Sequence, residues 1–185
     1  MNRRDQSIAL VGMMGSGKSS VGHGLHRRTG LAVRDTDEIV AGTFEMSIPE
    51  IFAEHGEQKF RDAETEALRR VRTEKELIII TGGGIVLRKE NITILRNHAV
   101  TVWLDGDEET LFARASGKQN RPLLQTKNPR KTFSQILAAR RPLYAELADI
   151  RVDTSALTAE EVAVAILAKL KRTDPKLKSP RRKKK

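Results

Sequence analysis

The chain has 185 residues, 38% hydrophobic, 31% charged and 4% aromatic, which argues for one compact domain with an aliphatic core and against global disorder. The lack of cysteine excludes disulfide scaffolds, Cys-ligated metal centres and thiol nucleophiles, and no run approaches the roughly 20 apolar residues of a membrane helix. The net charge of +10 is localised, because residues 169–185 hold ten basic residues and one acid, leaving 1–168 with 24 basic against 23 acidic.

In chain order, apolar runs of strand length stand at Ile8–Val11, Leu31–Val33, Leu77–Ile80, Val100–Leu104 and Ile150–Val152. Helical periodicity predicts Ser19–Arg28, Ile48–Phe52, Glu57–Arg72, Ile92–Asn97, Glu108–Ala115, Lys131–Leu147 and Ala159–Lys171. The alternation is βαβ, an α/β class. Leu77-Ile78-Ile79-Ile80 is apolar at successive positions and so on both faces, which predicts a parallel sheet covered by helices on two sides. Ser116 to Pro129 is polar, basic and broken by Pro and Gly, as a mobile lid would be. The end, with Pro175, Pro180 and Arg181-Arg182-Lys183-Lys184-Lys185, has no packing face and is expected to be a disordered extension with salt-sensitive, nonspecific attraction to polyanions. No repeat and no interdomain linker is evident, and the N-terminus leads straight into the first strand, so a soluble, untargeted cytoplasmic chain is expected.

Gly12-Met13-Met14-Gly15-Ser16-Gly17-Lys18-Ser19 fits G-x-x-x-x-G-K-[ST] and lies between a predicted strand and a predicted helix. Glycines let successive N–H groups turn inward, the helix presents its positive end, and Lys18 adds a mobile charge; together these bind a polyphosphate. Ser19 supplies a hydroxyl for Mg²⁺ bridging phosphate oxygens.

Asp35-Thr36-Asp37 follows the second strand, where strand alternation would turn Asp35 and Asp37 to one side; a solvated pair capping the next helix is the other reading. One acid can hold Mg²⁺ through water while the other accepts a hydrogen bond from an attacking hydroxyl. Thr81-Gly82-Gly83-Gly84 offers either a side-chain-free surface for a small ligand or a tight turn. Arg61 has Glu57 four residues before it and Glu64 three after, which either orients a guanidinium toward an acidic substrate or makes a surface ion-pair ladder. Arg140-Arg141 is a second arginine pair, and Arg121 in the lid segment is placed to act on a transferring phosphoryl group.

With Ile51-Phe52-Ala53, Gly56-Glu57-Gln58-Lys59-Phe60-Arg61, Arg121-Pro122-Leu123-Leu124 and Arg140-Arg141-Pro142-Leu143-Tyr144 in the same order and spacing, the chain resembles the shikimate kinase family up to about residue 168. The resemblance implies a P-loop NTPase fold of the nucleoside-monophosphate-kinase type with a five-stranded parallel sheet. It places a substrate-binding subdomain at about 36–64 and a lid at about 116–130 within a body of residues 1–172, with the basic tail, 173–185, left outside. It assigns the ATP site to Gly12, Gly15, Ser16, Gly17, Lys18, Ser19 and Ser20, with Arg114 and Pro122 flanking adenine and Arg121 on the phosphates. It puts Ser19 and, through water, Asp35 near Mg²⁺, and makes Asp37 the candidate base on the acceptor hydroxyl. Arg61 and Arg140 would hold the shikimate carboxylate, Gly82, Gly83 and Gly84 its ring edge, and Glu64 would orient the arginines; counting back from Pro142-Leu143-Tyr144 favours Arg140 over Arg141. Lys18, Asp37 and Arg121 are the implied catalytic groups, and the implied reaction transfers the γ-phosphoryl of ATP to the 3-hydroxyl of shikimate, a step toward chorismate.

Two other readings compete. A gluconate kinase shares the fold class and also phosphorylates a hydroxylated carboxylate, but the acceptor-side motifs speak for shikimate. A polyanion-binding module is suggested by the tail, and the near-neutral body counts against it. The expected partners are therefore ATP and shikimate, with no specific nucleic acid and no membrane. No extra apolar face is evident, so a monomer is expected.

Overall fold

The computed structural model of the protein describes residues 7–117 and 122–173. Among these, five strands form one parallel sheet: β1 (Ile8–Val11), β2 (Ala32–Asp35), β3 (Leu77–Ile80), β4 (Val100–Asp105) and β5 (Ile150–Asp153), in the order β2-β3-β1-β4-β5. The helices are α1 (Lys18–Thr29), α2 (Thr36–Phe44), α3 (Ile48–Val71), α4 (Lys89–His98), α5 (Glu108–Ser116), α6 (Pro129–Leu147) and α7 (Ala159–Thr173).

The double-sided apolar runs have the expected cause. Ala9, Val11, Leu77, Ile79 and Trp103 point into one core with Leu68 and Val71 of α3, Leu95 of α4 and Phe133, Leu137 and Tyr144 of α6. Their neighbours Ile8, Leu10, Ile78, Ile80, Val102 and Leu104 point the other way, against Val21 and Leu25 of α1 and Val162 and Ile166 of α7. A third, smaller cluster of Val40, Ile51, Phe60 and Ala67 joins α2 to α3. Because all strands run parallel, the loops after β1, β2 and β3 leave the same edge of the sheet, the edge where open α/β sheets bind ligands.

Some expectations need correction. The strand does not run on through Asp35-Thr36-Asp37: Asp35 ends β2 and caps α2, accepting from the Asp37 N–H at 2.9 Å, so Asp37 sits in the first helical turn and strand alternation does not apply to it. Helix α2 itself is missing from the predicted elements. The stretches predicted as two helices, Ile48–Phe52 and Glu57–Arg72, are the two arms of α3, separated at Gly56, whose φ of 76° is the left-handed conformation that a glycine adopts without a Cβ penalty. The segment expected as a lid up to 130 is part of the body at its end, since Leu124 joins the main core and α6 already begins at Pro129. Arg121 and the tail beyond Thr173 lie outside the described residues. Among the described residues no helix is long and apolar enough to cross a membrane.

Candidate active site

The loop between β1 and α1 is built on glycines that no other residue can replace without strain. Gly12 (φ 146°) and Gly15 (φ 85°) have left-handed backbones, and a Cβ on them would stand 2.4 Å from the Leu104 carbonyl and 2.2 Å from the Leu111 carbonyl. The ammonium of Lys18 bridges the carbonyls of Gly12 and Met13 at 2.9 and 3.0 Å. Ser16 Oγ is buried and has no hydrogen-bond partner among the described residues, leaving a donor ready for an anion. Above the loop opens a cavity of about 390 Å³ whose walls include Gly15, Gly17, Lys18, Ser19, Ser20, Asp35, Asp37, Gly82, Gly83 and Arg114. Gly12 and Ser16 lie beneath it in the loop. Arg114 is anchored at the cavity's far side, donating to the Thr154 carbonyl at 3.1 Å and the Ser155 carbonyl at 3.2 Å.

A second cavity of about 140 Å³ adjoins the first, and Met14, Asp37, Gly82 and Gly83 line both. Its polar wall holds Arg61 and Arg140, only 7% and 5% exposed. Its apolar wall is Ile48, Phe52 and Phe60, the two rings 4.7 Å apart. Both readings of the Arg61 spacing are realised at once: Glu57 takes its Nη2 at 3.0 Å on the outside, and the fully buried Glu64 takes Nη1 at 2.5 Å on the inside. Burial opposes the charge on Arg61, but Glu64 and Glu57 outweigh it and raise its pKa. Two buried guanidiniums line one space, and their planar forks suit a carboxylate.

The glycine triplet proves to be a surface for the protein's own side chains. A Cβ at Gly84 would stand 2.1 Å from Arg61 Nη1, and one at Gly82 would stand 2.5 Å from Glu64 Oε1 and 2.6 Å from Asp37 Oδ1. Arg61, Glu64 and Asp37 can therefore reach the cavity only because positions 82 and 84 carry no side chain. Arg141 turns away, donating to the Gly106 carbonyl at 2.6 Å and to Asp105 Oδ1 at 3.3 Å, so Arg140 alone of the pair lines the cavity. Pro122 opens a short 3-10 turn, Pro122–Leu124, whose Leu123 reaches the smaller cavity.

Three polar contacts have no counterpart in the sequence reading. The Gly82 N–H donates to Thr36 Oγ1 at 3.3 Å, the Tyr144 hydroxyl donates to the Gly83 carbonyl at 2.5 Å, and buried Asp105 accepts from Arg151 at 2.7 Å as well as from Arg141. An acid closing the apolar run Val100–Leu104 was a visible signal for Asp105; nothing local marks Thr36 or the partner of Tyr144.

Burial pushes the Glu64 carboxyl up to about 7 against the pull of Arg61, and burial followed by the charge of Asp37 pushes Asp35 up to about 6. Between the ordinary glutamate value of 4.5 and about 7 the native state holds more protons on Glu64 than the unfolded chain does. That contribution to stability is complete below 4.5 and is lost as pH rises through about 7. Asp107, held down to about 2 by the Thr110 N–H, slopes the opposite way at lower pH, so the effect is read as a difference between variants. Glu64→Gln is expected to flatten the fall in Tm from pH 4.5 to 7 relative to the unaltered chain. Parallel Tm curves would remove this assignment.

A glycine-turned loop with its lysine, two carboxylates at its mouth and an arginine-lined acceptor cavity beside it define a P-loop phosphotransferase. Residues 14–171 match the family model described as shikimate kinase. A shikimate kinase from Thermodesulfovibrio yellowstonii is 41% identical over 167 residues, 90% of this chain and 96% of that relative. The chain belongs to the shikimate kinase family. The solved shikimate kinase of Acinetobacter baumannii in complex with shikimate superposes with a TM-score of 0.89 at 34% identity, covering 92% of this chain and 95% of that one. A gluconokinase from Sinorhizobium meliloti, at 20% identity and a TM-score of 0.63 over 94% and 97% of the two chains, shares the fold alone.

Proposed function

We propose that the chain transfers the γ-phosphoryl group of ATP to the 3-hydroxyl of shikimate, giving shikimate 3-phosphate and ADP. The observation that carries this is the position of Asp37 at the junction of the two cavities, one walled by the phosphate loop and the other by Arg61 and Arg140. In this reading the loop N–H groups and Lys18 hold the phosphates, and Arg61 and Arg140 hold the acceptor carboxylate. Phe52 and Phe60 cover the apolar part of the acceptor ring, and the backbone of Gly82 and Gly83 lies against its edge. The acceptor oxygen bonds to phosphorus as the bond from phosphorus to the ADP oxygen breaks, and the hydroxyl proton passes toward Asp37. Phosphoryl transfer through a loose transition state asks mainly for this alignment.

The donor set at the loop fits a magnesium ion. Burial and then the charge of Asp37 disfavour ionised Asp35 at the mouth of the loop, and a divalent cation held there would offset that charge. Among the described residues no group of three or more His, Cys, Asp or Glu forms a cage, which suits an ion carried mostly by phosphate oxygens and water. Ser19 would bind it directly and Asp35 through water, and when bound it would offset charge on the phosphate oxygens. Every group used here comes from one chain, so the reading needs no second subunit, nucleic acid or membrane.

The test is ADP release from ATP and Mg²⁺ with shikimate, with gluconate and with no acceptor. Release that depends on shikimate is expected. Equal release with gluconate, or release indifferent to any acceptor, would sink the acceptor assignment.

A further inference from the structure

Tyr144 is the largest fully buried side chain among the described residues, and it stands one turn after Arg140 on α6. Its ring stacks on Trp103 of β4, centroids 6.1 Å apart, while its hydroxyl donates to the Gly83 carbonyl at 2.5 Å. A phenol has one proton, and that proton is committed to Gly83, so the oxygen can only accept toward other groups. Arg140 brings its positive charge to the phenol from one turn earlier on the same helix, opposing the burial that pushes Tyr144 up to about 12. Arg140 Nη1 lies 3.5 Å from where a Gly83 Cβ would stand. The Arg140 guanidinium and the Tyr144 hydroxyl thus converge on the backbone of Gly83, a residue that lines both cavities.

From this geometry we infer that Tyr144 is a positioning residue for the acceptor: its hydroxyl fixes the Arg140 guanidinium against the glycine triplet and so sets where the acceptor carboxylate rests relative to Asp37. The inference rests on the proposed reading of Arg140 as a carboxylate ligand. A tyrosine serving only to fill the core would need its ring and not its hydroxyl. Tyr144→Phe keeps the ring on Trp103 and removes the hydroxyl that holds the Gly83 carbonyl beside Arg140.

Steady-state kinetics with ATP and shikimate varied separately, together with Tm, decide the matter for Tyr144→Phe, Arg140→Lys and the double variant. Tyr144→Phe is expected to raise the acceptor KM about tenfold and leave the ATP KM unchanged. The double variant should cost less than the product of the two singles, since both act on one contact. A lowered Tm with both KM values unchanged, while Arg140→Lys raises the acceptor KM, overturns the inference and leaves the function intact. An acceptor KM unmoved by Arg140→Lys overturns the carboxylate reading and the inference with it. Tyr144 is also the chain's one tyrosine, so 3-fluorotyrosine marks this position alone even where the Phe variant does not fold. Its ¹⁹F resonance is expected to move when shikimate is added and to shift with Arg140→Lys; a resonance indifferent to shikimate overturns the inference.

Discussion

Lys18→Ala is expected to lower the turnover number about a thousandfold, at the upper end of what loss of one preorganised charge-stabilising donor costs. The ammonium sits at the start of α1, where the positive end of the helix and the loop N–H groups already favour anions, and it is held there by two carbonyls, those of Gly12 and Met13. Such a tether fixes the charge at the loop mouth. Arg114, the other cation lining the larger cavity among the described residues, is committed to the Thr154 and Ser155 carbonyls and cannot move into the vacated place without breaking them. The substitution removes a half-buried side chain from a surface loop and not from the core, so Tm should change little. ADP release at saturating shikimate checks the expectation, with Tm as the control for folding. A folded variant whose turnover stays within about tenfold of the unaltered chain would remove Lys18 from its proposed role on the phosphates.

How much of this site is legible in the sequence depends on the range of the interactions. The turn of the phosphate loop and the tether of its lysine are local, made within a few residues, so the motif describes them, whereas the Leu104 and Leu111 carbonyls that press on Gly12 and Gly15 are not in it. Strands β1 and β3 fall on the predicted residues because apolar side chains on both faces of a parallel strand leave an unbroken run. The break at Gly56 is legible for the same reason, a glycine between two amphipathic stretches. Helix α2 was readable but overlooked, since Asp35 followed three residues later by Glu38 and then Ile39-Val40 is the pattern of a helix start. Of the two readings of Asp35-Thr36-Asp37, strand alternation fails and helix capping is realised at Asp35. The two acids share a wall because one caps the helix whose first turn carries the other. The glycine triplet and Tyr144 lie beyond local reading. That Gly82 and Gly84 must be bare is dictated by Arg61 and Glu64 some twenty residues earlier, and the Tyr144 hydroxyl meets a carbonyl 61 positions away. Only the packing of α3 and α6 over the end of β3 brings those groups together.

Asp37→Asn is expected to lower the turnover number between about a hundredfold and ten-thousandfold while changing the acceptor KM much less. The substitution keeps the side chain's shape beside Gly82 and its place in the first turn of α2, and Asp35 can still accept from the backbone N–H of residue 37. What it removes is the negative charge at the junction of the two cavities. If the acceptor proton leaves late, Asp37 chiefly orients the hydroxyl and the loss falls toward the smaller figure; if the carboxylate takes the proton in the transition state, it falls toward the larger. The pH profile separates this role from simple disturbance of the loop. Asp35 is pushed up to about 6 first by burial and second by the charge of Asp37, and the proposed metal site needs it ionised, so activity should fall as pH drops through about 6. In Asp37→Asn the second cause is gone while burial remains, so the acid limb of the residual activity should move part of the way down toward the ordinary aspartate value of 3.8. A variant that loses turnover with an unmoved acid limb would place the two carboxylates in separate environments, and one that keeps full turnover would remove Asp37 from the acceptor hydroxyl altogether.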